Sequence, residues 1–351
     1  MAATTAPRAP PKFRVGDLLR AHGAEFAATR PLTPRQTAVL QALSSCRTPE
    51  RGGYVSACDV CDYRHVVYNP CRNRHCPSCE GQAAAEWLAE LRRRLPPCRY
   101  FHVVFTLPEE LRWLAFQNAK LVYSLLLTAA GETLAAVAAT PKILGAQVGV
   151  TAVLHTWRRD LLLHPHVHCL VTAGGLSHDG DDWVPSLGDR YLAPIRLLAA
   201  RFRRTVLRRL QAARDAGELR FGGGCAALAA PEAFDSLVQT LQAKTWLVYA
   251  KAVFNDLEHL LRYLGRYTHR VGISDRRIVE VREDFVTFAT KNGEDTTIHA
   301  LDFGAPDGFH QVLAVPDGGP PSTPLDDALG ALAARLAAPP GGGQARGQPR
   351  R

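Results

Sequence analysis

Residues 148–173 read VGVTAVLHTWRRDLLLHPHVHCLVTA. The runs 148–157 and 164–173 are rich in β-branched residues, and the spacing predicts two strands joined by a short connection. Side chains alternate between the two faces of a strand, so His166 and His168 present their imidazoles on one face while Val167 turns into the core. A hairpin centred near residue 161 sets His155 across from the 166–168 region, with opposed side chains about 5 Å apart. Imidazole is a common metal ligand, so the pattern marks a metal site with His166 and His168 as the pair and His155 as the third donor. His164, beside the strand-disturbing Pro165, His102 on an earlier strand and His259 further on remain open alternatives for that third position.

Outward from this stretch the chain alternates strand and helix signals. YFHVVFTL at 100–107 is an aromatic and β-branched strand stopped by Pro108, and a helix is predicted from about 111 to 138. KTWLVYAKAVF at 244–254 reads as another strand, and RIVEVREDFVTFATKNG at 277–293 as two short strands around Glu283 and Asp284. Strands with helices packed to one side give an α+β class with a central antiparallel sheet. Residues 174–240 look like an insertion that carries a basic helix. In IRLLAARFRRTVLRRL at 195–210, Arg201, Arg204 and Arg208 form a stripe beside apolar Leu198, Phe202, Val206 and Leu210. The stripe can follow phosphates or simply face solvent.

The N-terminal third reads differently. Residues 1–14 are rich in Pro and Ala and predicted to be loose, and residues 15–45 hold two amphipathic helices. Five of the nine cysteines then fall in CDVCDYRHVVYNPCRNRHCPSC at 58–79. Cys58-x2-Cys61 and Cys76-x2-Cys79 are knuckles fourteen residues apart, the spacing with which a zinc ribbon converges four thiolates on one ion. Cys71 and His75, between the knuckles, are alternates for any of the four. Such zinc is structural, supplying folding free energy to a module too small to build its own core. A connector helix with Trp87, Leu88, Leu91 and Leu95 at helical spacing follows and ends at Pro96-Pro97, which places the domain boundary at 96/97. A second domain then runs over 97–300, and residues 301–351 form a tail rich in Ala, Gly and Pro.

Composition constrains the partners. Net charge is +9, and only six of the 42 basic residues are lysine. Arginine's planar fork suits phosphate, so the balance leans toward nucleic acid. No stretch of about 18 apolar residues occurs and the N-terminus lacks an apolar leader region, so the expected location is the cytoplasm, with no membrane partner.

The run LEHLLRYLGRYTHR at 257–270 sets Tyr263 and Tyr267 four apart, two phenols on one helix face. Packing alone accounts for most such pairs. Here Arg262, Arg266 and Arg270 surround them, groups suited to a polyanion, and cations favour the phenolate form. A metal site together with paired tyrosines points to phosphodiester chemistry.

Taken in order, RNRHCPSC, YFHVVFTLPEEL, VLHTW, HPHVHCLVTAGGLS and YLGRYTHRV resemble the two-tyrosine rolling-circle transposases of bacterial insertion sequences, the family typified by insertion sequence ninety-one. The resemblance covers about residues 15–292. It implies an N-terminal zinc-binding domain joined to an HUH nuclease domain, with His166 and His168 as the HUH ligands and Tyr263 and Tyr267 as the nucleophiles. Cys58, Cys61, Cys76 and Cys79 match the family's zinc region. The implied activity is metal-dependent cleavage and rejoining of single-stranded DNA through a 5′-phosphotyrosine, with Mg²⁺ or Mn²⁺ at the histidines, in the bacterial cytoplasm at the nucleoid. HUH replication initiators and relaxases share the breakage step. A non-catalytic zinc-dependent DNA-binding remnant is the third reading, because TTIHALDFGAPDGFHQVLAVPDGG departs from the family's RHYG-type C-terminal run.

Overall fold

Tyr100–Thr106 (β3) is the strand on which the larger sheet is built. The structure, a computed structural model, describes residues 11–29, 32–73, 75–158, 162–186, 188, 192–253, 274–282, 285–292 and 295–302. β3 lies between Leu163–Leu176 (β5) and Val248–Val253 (β7), and Gln147–Trp157 (β4) pairs with the other side of β5. The short strand Trp183–Pro185 (β6) extends one end of β5. Every pairing is antiparallel, which agrees with the class read from the sequence.

Alternation divides this sheet into two chemically distinct faces. Phe101, Val103 and Phe105 on β3 and Val167, Cys169 and Val171 on β5 are buried in the main core. Helix Ala119–Ala138 (α5) supplies Leu126, Ala129, Ala130 and Leu134 to that core, and Ile195–Asp215 (α6) supplies Leu198, Phe202 and Val206. The rings of Phe105 and Phe202 stand 4.7 Å apart across the layer. The opposite face carries Tyr100, His102, Val104 and Thr106, joined through the register by His166 and His168, by His155 and by Tyr249 and Lys251. α5 is apolar and long enough to cross a membrane, yet two thirds of its most apolar window is buried within the protein, as a core helix requires.

The helix predicted over 111–138 is interrupted. Arg112–Gln117 (α4) ends at Asn118, whose side-chain amide donates to the carbonyls of Leu114 (3.0 Å) and Arg220 (2.8 Å) and accepts from the Arg220 amide (2.7 Å). A buried amide so fully paired ties α4 to a loop about a hundred residues away. The segment read as an insertion supplies α6 and Pro231–Ala243 (α7), whose apolar faces complete the main core. Its opening glycines have a backbone reason: Gly174 has φ +145°, and a Cβ there would meet the Trp183 ring at 2.6 Å.

The N-terminal helices Val15–Thr29 (α1) and Pro34–Ser44 (α2) pack together, and a Thr33/Gln36 capping box with Pro34 at the first position starts α2. The hairpin Gly53–Ala57 (β1) and Arg64–Tyr68 (β2) follows, then Pro77–Arg94 (α3). Leu91 of α3 and Leu95, which caps it, pack on Tyr100 and Leu170 of the histidine face. Ile278–Val281 (β8), Phe285–Asn292 (β9) and Asp295–Asp302 (β10) form a separate antiparallel sheet. Ile278, Val286 and Phe288 pack with Val15, Leu19 and Leu43 of α1 and α2. Asp275 secures that join, accepting from the Val15 amide at 2.8 Å and the Ser78 hydroxyl at 2.6 Å.

Candidate metal centres and nucleic-acid interface

Register assembles the histidine centre. His155 stands opposite His166, and Val104 and Val153 flank His168 from the two neighbouring strands, so all these side chains share a face. One donor atom from each of His155, His166 and His168 lies within 4.8 Å of the others. The ring centroids are 4.3 Å apart for His155 and His168, 5.0 Å for His166 and His168, and 5.2 Å for His155 and His166. His155 and His168 are buried and His166 half-buried, so the centre opens to solvent through His166.

Nδ1 of His166 lies 2.6 Å from the carbonyl oxygen of His164, and Nδ1 of His168 lies 2.8 Å from Nε2 of His102. A neutral imidazole that donates from Nδ1 offers Nε2 as a ligand, so both partners favour the ligand-competent form. His164, an open alternative for the third donor, contributes its backbone oxygen to this arrangement and stays outside the converging set. His102, another alternative, touches the set through His168 and is not part of it. Burial, aided by Lys251, brings the His102 pKa down to about 4 and keeps its ring neutral. His259 lies outside the described residues, as do Tyr263, Tyr267, Arg262, Arg266 and Arg270.

The second centre consists of four thiols. Cys46, Cys71, Cys76 and Cys79 gather with sulfur separations of 3.5 Å (Cys46–Cys79 and Cys46–Cys76) and 3.7 Å (Cys71–Cys79). A tetrahedron with Zn–S bonds of about 2.3 Å has edges of about 3.8 Å, close to this spacing. Backbone amides of Cys71 and Asn73 donate to the sulfurs of Cys46 (3.5 Å) and Cys71 (3.4 Å). The thiols of Cys71 and Cys76 lower the Cys46 pKa by donating to its sulfur, while contact with that sulfur raises Cys71 and Cys76. A dication relieves the repulsion among four thiolates.

The converging set differs from the four cysteines read from the sequence. Cys76, Cys79 and the alternate Cys71 belong to it, but Cys58 and Cys61 do not. They sit exposed at the tip of the β1–β2 hairpin, where the Val60 amide donates to the Cys58 sulfur at 3.5 Å. Five paired residues separate that tip from the hairpin's base, a span of about 17 Å at strand rise. Cys46 enters the hairpin and Cys71 leaves it, so the base, not the tip, brings thiols together. Sequence reasoning missed Cys46 because it belongs to no CxxC pair; its placement just before the hairpin, mirrored by Cys71 just after, is the available signal. The alternate His75 also lies outside the four-thiol set.

On α6, Arg201, Arg204 and Arg208 are exposed. Arg203, Arg204 and Arg208, with Gln211 and Gln242, line a cavity of about 380 Å³. Arg209 pairs with Glu132, Arg214 with Asp235 at 3.1 Å, and Arg203 donates to the Lys244 carbonyl at 2.9 Å. The arginines of α6 therefore include some fixed by protein partners, beside a cavity whose lining carries no acidic residue and suits an anion.

Comparison with known proteins agrees with this arrangement. Residues 18–107 match the family described as "Transposase zinc-binding domain", and residues 149–315 match the one described as "Putative transposase". The "Putative transposase y4qJ" of Sinorhizobium fredii is 44% identical over 279 residues, covering 79% of this chain and 70% of that protein. The transposase for insertion sequence element IS801 of Pseudomonas savastanoi pv. phaseolicola is 44% identical over 118 residues, 33% of this chain and 28% of that protein. No solved structure matches the chain. With a zinc-binding module carrying a four-cysteine cluster ahead of a transposase domain, the chain belongs to the IS91-type transposases.

Proposed function

We propose that this transposase is an HUH-type single-strand DNA nuclease and strand transferase acting in rolling-circle transposition through a covalent 5′-phosphotyrosine. The observation that carries the reading is the convergence of His155, His166 and His168 on one face of an antiparallel sheet in a chain of a transposase family. Three nitrogen donors, two of them held with Nε2 available, suit a divalent cation such as Mn²⁺ or Mg²⁺. His155, His166 and His168 would hold such a cation, which would supply Lewis-acid polarisation of the scissile phosphate.

Tyr263 and Tyr267 are the proposed nucleophiles. β7 ends beside Tyr100, and His168 and His166 lie four to six residues along β3, about 14–20 Å away. In the sequence the two tyrosines follow β7, which neighbours β3 in the histidine-bearing sheet. In the proposed step the phenol loses its proton to solvent and its oxygen bonds to phosphorus. The bond from phosphorus to the 3′ oxygen breaks, and that oxygen takes up a proton as a free 3′-hydroxyl. Ester energy is kept in the phosphotyrosine, so a 3′-hydroxyl can attack it, release the phenol and rejoin strands. Arg262, Arg266 and Arg270 would stabilise the phenolate and the phosphate; Arg201, Arg204 and Arg208 would hold DNA elsewhere. Cys46, Cys71, Cys76 and Cys79 would hold structural zinc.

The test is cleavage of single-stranded oligonucleotides by the full chain with Mn²⁺ against EDTA. Denaturing gels should show a protein–DNA adduct that EDTA and His166→Ala abolish and that the double variant Tyr263→Phe/Tyr267→Phe cannot form. An adduct persisting in the double variant, or none formed by the wild type on element-end sequences, overturns the reading.

A further inference from the structure

His102 lies on β3, between the strand of the alternating histidines and β7. The residue is 5% exposed. Val104 stands directly opposite His168, so His102 is the diagonal neighbour on the same face. The two imidazoles are nearly coplanar, 10° between planes with centroids 5.1 Å apart, and Nε2 of His102 is 2.8 Å from Nδ1 of His168. Coplanar rings meeting nitrogen to nitrogen form an in-plane hydrogen bond, and such a contact uses the His102 nitrogen nearest the centre. A fourth-ligand role for that nitrogen is thereby disfavoured, and His102 falls outside the converging donors.

A neutral imidazole has one ring proton, and whichever nitrogen carries it cannot bind a cation. We infer that His102 is a positioning residue: by accepting the Nδ1 proton of His168 at its own Nε2, it holds His168 in the tautomer and ring rotation that turn Nε2 toward the cation. The inference rests on the proposal that the three histidines bind a divalent cation. His166 receives the equivalent constraint from the backbone carbonyl of His164, at 2.6 Å. Both strand-alternate histidines are then held through Nδ1, one by the main chain and one by a side chain. The second alone can be removed by substitution. Tyr249 and Lys251 on β7 complete the surroundings, Tyr249 edge-on to the His102 ring and Lys251 opposite it in the register.

The experiment uses the full chain and compares wild type, His102→Leu, His102→Gln and His166→Ala. Mn²⁺ affinity is read from the free-ion electron paramagnetic resonance signal, and the His168 tautomer from long-range ¹⁵N–¹H correlations of the imidazoles. His102→Leu should weaken Mn²⁺ binding by about 10–100-fold, the range for loss of an outer partner of a metal-bound histidine, and should give His168 a mixed tautomer. His102→Gln keeps an acceptor and should recover most of the affinity with His168 protonated at Nδ1. A folded His102→Leu with wild-type affinity and an unchanged tautomer overturns the inference. So does equal loss in both variants with the tautomer intact, which would assign His102 to packing. Should the Leu variant fail to fold, His102→Gln decides: affinity and tautomer kept support the inference, and affinity lost in a folded protein refutes it. If His166→Ala binds Mn²⁺ as wild type does, the underlying cation proposal fails, an outcome distinct from either result at His102.

Discussion

At the scale of the residue, an imidazole becomes a ligand or remains a core side chain according to what its second nitrogen meets. His155, His166 and His168 offer nitrogen alone, and the described residues place no carboxylate in their cluster. Mg²⁺ prefers oxygen donors and sheds water reluctantly, whereas Mn²⁺ accepts imidazole more readily. Mn²⁺ should therefore support single-strand cleavage at a concentration at least about tenfold lower than Mg²⁺. Titrating both ions in the oligonucleotide assay checks this, and equal half-activating concentrations would count against an all-nitrogen centre. The pair His166 and His168 was legible from period-two alternation, and His155 from hairpin symmetry, since local geometry sets both. The contact between His102 and His168 was not, because it joins residues 66 positions apart through a strand order that alternation does not specify.

At the scale of the element, the β1–β2 hairpin acts as a spacer. Its five-pair ladder sends Cys58 and Cys61 to an exposed tip and leaves Cys46 and Cys71 at its base, beside Cys76 and Cys79 at the start of α3. Cys46→Ser should lose the tightly bound zinc, about one equivalent per chain, and with it thermal stability, because a structural zinc site contributes directly to folding. Cys58→Ser should keep that equivalent. Zinc content after gel filtration, measured by atomic absorption, separates the two, and the converse result would restore the knuckle-to-knuckle ligand set. Knuckle spacing pointed to a thiol cluster, and the cluster that forms joins Cys46 and Cys71 to Cys76 and Cys79. Two thiols in a CxxC turn are brought together by the turn itself, whereas the pairing of one turn with distant cysteines depends on where a hairpin points.

At the scale of the whole molecule, α6 covers the sheet face opposite the histidines. Phe202 packs on Phe105, on the far side of β3 from His102 and Thr106. Arg204 and Arg208 therefore face away from the histidine centre, separated from it by a sheet and a helix, on the order of 15 Å. DNA held at both must wrap around the domain. Arg204→Glu/Arg208→Glu should weaken binding of long single strands and reduce the slope of log affinity against log salt by about 1.4, at about 0.7 for each phosphate no longer neutralised. Cleavage of an oligonucleotide too short to reach α6 should be unchanged. Binding assays across a salt series measure the first effect, and an unaltered slope would leave the arginines as a solvated face.

The strands, the main helices, the α+β class, the histidine pair and the presence of a thiol-rich module are all written in local pattern, because side-chain period and turn chemistry act over a few residues. The composition of the zinc cluster, the neighbour that orients His168, and the packing of β8 and β9 on α1 and α2 are set by long-range register. Asp275, for example, accepts from the Val15 amide across 260 residues of chain. Contacts of that kind follow from which apolar faces find each other in the folded state, and no short window of sequence contains both partners.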